Sequence, residues 1–214
     1  MPLFDTVVIV DWSARSTPSP KKPGPDAIWL SVARTGAADP AQYFRTRAEA
    51  MDFILGLLVL ERCAKRRVLA GFDFPFGYPR GFAHALAGDR SALAVWAELE
   101  ARVKDSADNS NNRFDVAAEI NRLFPGVGPF WGRPEATQIQ DLPSRGKDRT
   151  PAHGMLEKRR VEQHVLSAQS PWKLYTTGSV GGQALTGIPG LSKLRNDPRL
   201  SGDVAVWPFE TGLS

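Results

Sequence analysis

The sequence predicts an α/β fold on a mixed sheet, and three observations carry that reading. Two short apolar runs, Thr6–Val10 and Val68–Phe72, each deliver an aspartate, Asp11 and Asp73. Runs this short, bounded by turn residues, read as buried parallel strands. Between them, residues 48–65 repeat apolar side chains at helical spacing. Two further runs, Ala27–Ala33 and Gln42–Arg45, complete a β-β-β-α-β order with the acids on the first and fourth strands.

The first strand leads into Arg15–Pro25, too rich in proline for regular structure. Met51, Ile54, Leu55 and Leu58 make one stripe of the helix, and Phe53, Leu57 and Leu60 make its other side apolar, so heavy burial is expected. Cys63 sits in that pattern and is expected to be buried. Further helices are predicted over 91–105 and Arg113–Phe124, the second capped from the polar break Asp108–Asn112. Pro125–Pro134 reads as a loop whose Phe130, Trp131 and Arg133 could stack on bases or plug a core. Leu156–Ala168 is predicted helical and Trp172–Thr176 a strand. Gly178, Ser179, Gly181 and Gly182 then form a turn that could offer backbone N–H groups to a phosphate, or simply permit close packing, before a helical stretch toward Arg195. A last strand is predicted over Val204–Phe209, followed by Glu210.

Composition narrows the chemistry. In 214 residues there is one cysteine, which excludes an internal disulfide and a cysteine-rich zinc site. His84, His153 and His164 lack ligand spacing. The longest apolar stretch, within residues 53–60, is too short to span a bilayer, and no signal core is evident, so a cytoplasmic protein is expected. The net charge of +4 is matched by residues 143–160 alone, where Arg145, Lys147, Arg149, Lys158, Arg159 and Arg160 face Asp148 and Glu157. Such a segment suits a nucleic acid or nucleotide, or is a solvated loop.

Acids at the carboxyl ends of parallel strands stand where open α/β sheets bind ligands. Asp11 and Asp73 either share a divalent cation or cap the turns that follow. Asp115 and Glu119 share a helix face and could add ligands, with Arg122 near Glu119 arguing for an ion-paired surface instead.

The segments VIVDWSA, GFDFPFG, NNRFDVAAEINR and VGGQALTGIP resemble a family of the DUF429 type. The resemblance implies a ribonuclease H-like fold: a three-stranded meander, a helix and a parallel fourth strand, with helices on both faces. It also implies a nuclease whose catalytic acids, Asp11 and Asp73, hold Mg²⁺ or Mn²⁺. Glu210 is the first candidate for a third acid and Glu119 the second, with Lys158, Arg159 and Arg160 offsetting phosphate charge. One domain over 1–214 is expected, with a helical and basic-loop insertion at about 80–170. The chain ends soon after Glu210 without a closing helix, so either Glu210 completes the site or the domain is C-terminally incomplete and holds metal poorly. An actin-like phosphotransferase using Ser13 and the glycine turn, and a non-catalytic nucleotide or nucleic-acid binding module, are the rival readings.

Overall fold

The computed structural model describes residues 3–34, 36–200 and 202–213. The chain divides into two compact units: 1–73 with 105–111 and 193–205, and 74–104 with 112–192 and 206–214.

The first unit is a mixed sheet. Strand β1 (Thr6–Asp11) pairs antiparallel with β2 (Ile28–Arg34) and parallel with β5 (Val68–Phe72). Strands β3 (Ala37–Ala38) and β4 (Gln42–Phe44) both pair with β2. The third meander strand is thus split, and Pro40, which has no N–H to donate, lies at the break. Helix α1 (Arg47–Cys63) supplies the crossover to β5. Its start is fixed by a reciprocal capping box, Thr46 accepting from the Glu49 amide while Glu49 accepts from the Thr46 amide.

Period-two alternation assigns the faces of the sheet. Thr6, Val8 and Val10 are buried on one side. There the Thr6 hydroxyl donates to Glu61 of α1 at 2.8 Å, so α1 lies on that face. Glu61 is 1% exposed and is also held by Arg66 at 2.5 Å and Arg34 at 2.8 Å. The Arg66 hydrogen bond foremost, with Arg34 and Thr6, overcomes desolvation and lowers its pKa to about 2. On the opposite face Ile9 and Leu69 keep 56% and 44% of their surface open. The expectation of helices over both faces is not met at these residues. Cys63 is exposed as well, contrary to expectation, because the last turn of α1 turns it to solvent.

The second unit carries α2 (Phe82–Ala87), α3 (Ala92–Arg102), α4 (Arg113–Asn121) and most of α5 (Val180–Asn196). Its core is aromatic: Tyr78, Phe82, Phe130 and Trp172 pack with ring centroids 4.6–6.0 Å apart. Phe130 therefore plugs a core instead of stacking on bases. Buried Asn121 closes the loop before it, donating to the Phe130 and Asp141 carbonyls and accepting from the Phe130 amide.

Three predicted elements are absent. Leu156–Ala168 is irregular apart from a 3-10 turn at Val161–His164, since the Lys158 ammonium and the Arg159 amide bond within the segment. Trp172–Thr176 makes only a single bridge, Lys173 with Trp131. Val204–Phe209 is no strand: the Glu210 amide donates to the Val206 carbonyl, closing a turn. Among the described residues no helix is long and apolar enough to cross a membrane.

Candidate active site

Asp11 and Asp73 stand side by side. The parallel register runs from Thr6 opposite Val68 to Val10 opposite Phe72, so the next residue of each strand is one of the acids. The Asp73 amide donates to the Val10 carbonyl at 3.2 Å. The Trp12 amide then donates to Oδ1 of Asp73 at 2.8 Å, where a continuing ladder would use a backbone carbonyl. The Asp73 side chain therefore ends the ladder and orients its own carboxylate. Both acids are exposed, on the face that bears Ile9 and Leu69.

The two carboxyl groups are within hydrogen-bonding reach of each other. The pKa of Asp73 is raised to about 6, first by desolvation and then by the charge of Asp11, against the lowering effect of the Trp12 amide. Two carboxyl groups this close either share a proton or, when both ionise, need a cation between them.

The loop after Asp11 is anchored by a residue that local sequence reading passes over. Arg47, at 2% exposure, bonds Asp105 through Nε at 2.6 Å and Nη2 at 2.5 Å. Its Nη1 donates to the Ser13 and Arg15 carbonyls at 3.1 and 2.7 Å, and its Nη2 to the Asn109 carbonyl at 2.8 Å. Asn109 in turn donates to the Thr17 and Arg45 carbonyls. The polar break read as a helix cap thus ties down the loop at the site. Asn112 makes no side-chain cap for α4 and instead bonds Lys104 and Arg102. The sequence signals for this anchor are a cation at the first position of α1, where the helix dipole disfavours one, and an Asn-rich break.

Other expected site residues are engaged elsewhere. Ser13 is 6% exposed and its hydroxyl accepts from the Arg15 amide, so it is not offered to a phosphate. The amides of Ser179, Val180, Gly181 and Gly182 donate to the carbonyls of Thr176, Gly178, Lys173 and Ser179. A Cβ at Gly181 would meet the Lys173 carbonyl at 2.6 Å, so that glycine serves close packing and the turn is no anion cradle. Glu210 caps its own turn by accepting from the Val206 amide at 2.9 Å. Glu119 and Asp115 line a shallow groove of about 350 Å³ with Gln138 and Gln140. Arg122, expected beside Glu119, pairs with Asp141. Among the described residues no three His, Cys, Asp or Glu side chains converge as a metal-holding group.

Half of the cations of the basic segment are ion-paired. Arg145 pairs with Glu135, Arg149 with Glu157 and Arg159 with Glu162, at 2.7–2.9 Å. The Lys158 ammonium lies near the Val165 and Leu166 carbonyls. Lys147 and Arg160 are exposed, and no salt bridge holds them among the described residues.

The Asp11–Asp73 donor set suits one hard cation. Mg²⁺ keeps several waters and is commonly held by one or two carboxylates together with substrate phosphate oxygens. No protein-family model, curated protein or solved structure matches this chain.

Proposed function

We propose that the chain is a divalent-metal-dependent phosphodiesterase acting on nucleic acid, with Asp11 and Asp73 as its catalytic acids. The observation that carries this is the pair itself: two exposed carboxylates abreast at the carboxyl ends of adjacent parallel strands. The resemblance of the surrounding motifs to predicted nucleases points the same way. Asp11 and Asp73 would hold Mg²⁺ or Mn²⁺, which when bound acidifies a water and offsets phosphate charge.

The protein's own contributions are orientation and charge. The Trp12 amide holds one oxygen of Asp73, which fixes the carboxylate plane and leaves it less freedom to lose on ligand binding. Arg47 holds the loop that carries Trp12 through the carbonyls of Ser13 and Arg15. Lys147 and Arg160 are the cations that suit a polyanion, and Arg159 is engaged with Glu162. The amides of residues 179–182 donate to internal carbonyls, which favours the hydrolase over the phosphotransferase reading.

Calorimetric titration with Mn²⁺, alongside cleavage of labelled RNA, DNA and branched duplexes, tests the proposal. Metal-dependent cleavage lost in Asp11→Asn and Asp73→Asn, with both variants folded, is expected. Full activity in either folded variant, or ATP turnover without cleavage, overturns it.

A further inference from the structure

Strand β5 is the end of the sheet, paired with β1 alone among the described residues. The amide of Asp73 and the carbonyl of Arg67 are bonded toward β1, so the odd positions face that strand. Val68 and Ala70 therefore turn their backbone N–H and C=O groups to the outer edge. No backbone hydrogen bond from another described segment reaches either residue there. The strand Val68-Leu69-Ala70-Gly71-Phe72 also lacks the lysine, proline or inward charge that ordinarily protects an edge.

We propose that this edge pairs with β5 of a second copy of the chain, antiparallel about a two-fold axis at Ala70. The register follows from the strand. Centring on Ala70 is the alignment that pairs all five residues, with Val68 opposite the partner's Phe72 and Ala70 opposite the partner's Ala70. The outward-facing groups of Ala70 then meet those of the partner's Ala70 as a hydrogen-bonded pair. A one-residue shift puts them out of phase, and a two-residue shift leaves a strand end overhanging.

The side chains on the open face are complementary in the same register. Exposed Leu69 comes to lie opposite the partner's Gly71, over which the Cδ1 of exposed Ile9 already leans, so that Leu69 meets apolar surface. Arg67, exposed and with its guanidinium over the ring of Phe4, faces the partner's Asp73. Two-fold symmetry makes each of these contacts twice. The second copy thus sets a guanidinium at the margin of the acid pair. A five-residue strand pair with one small apolar patch falls below the roughly 1,200 Å² of a standard interface, so the dimer is concentration-dependent.

This assembly does not depend on the hydrolase reading, because its test reads mass and not activity. Sedimentation velocity over a concentration series compares the wild-type chain with Arg67→Glu and Leu69→Lys, with circular dichroism to check folding. Both substitutions change side chains exposed on the open face and leave the backbone bonds of Arg67 and Leu69 to β1 in place. A monomer–dimer equilibrium is expected for the wild type, weakened at least about tenfold in each variant by like-charge or desolvation penalties. A wild-type chain that stays monomeric to its solubility limit overturns the proposal, as does a dimer indifferent to both variants. Loss in Leu69→Lys without loss in Arg67→Glu overturns the register.

Discussion

Asp73→Asn should make the protein more stable, and increasingly so as pH rises. Asp73 carries a folded-state pKa near 6 against 3.8 for a free side chain, from desolvation and the neighbouring Asp11 charge. For an acid shifted upward the native state binds its proton more tightly than the unfolded chain. Stability is therefore greatest below pH 4, falls as pH rises from about 4 to 6, and stays reduced above that. Two pH units correspond to a ceiling of about 3 kcal/mol, and solvent screening of an exposed side chain reduces this to about 1 kcal/mol. Asparagine removes the charge and keeps an oxygen for the Trp12 amide. Denaturant melts should show the variant about 1 kcal/mol more stable at pH 7.5, about 2–4 °C in Tm, with no difference near pH 4. Mn²⁺ should narrow the gap by stabilising only the wild type. A variant less stable than wild type at pH 7.5, or a difference that does not vary with pH, refutes the electrostatic reasoning.

Glu61 predicts the opposite sign: its lowered pKa contributes stability that is complete above pH 4.5 and lost as pH falls toward 2. Glu61→Gln should flatten the acid limb of a stability–pH curve and lower stability at pH 7 by about 2–3 kcal/mol. Arg47→Ala strands Asp105 and two loop carbonyls, and should cost about 3–5 kcal/mol in chemical denaturation while speeding amide exchange at Ser13–Thr17. Gly181→Ala forces a Cβ against the Pro171 and Lys173 carbonyls and should lower Tm, whereas Gly88→Ala, where no atom lies within 4 Å, should act only through its left-handed backbone. In nucleic-acid binding, Lys147→Ala with Arg160→Ala should lower the salt slope by about 0.9 log units for each phosphate that is no longer neutralised, and Arg145→Ala, paired with Glu135, by less.

The strands β1 and β5, the helix between them and the positions of Asp11 and Asp73 were readable from the sequence. Their signals are local: β-branched alternation, helical spacing, and an acid where each apolar run stops. The register that brings the two acids together joins positions 62 residues apart, so only the folded sheet decides it. The same holds for Arg47, whose partner Asp105 lies 58 residues away, and for Glu61, an acid made buriable by two arginines from other elements. Where local signals were weak, tertiary bonds won. Glu210, a candidate for the third acid from its position after an apolar run, accepts from the Val206 amide because its own backbone folds back on Val206. The glycines after Thr176 could be read as a phosphate cradle or as close packing, and the internal carbonyls that hold the amides of residues 179–182 favour packing. Local sequence specifies which conformations a segment favours; only the tertiary fold specifies which polar groups are already satisfied, and that accounting separates a ligand site from a cap.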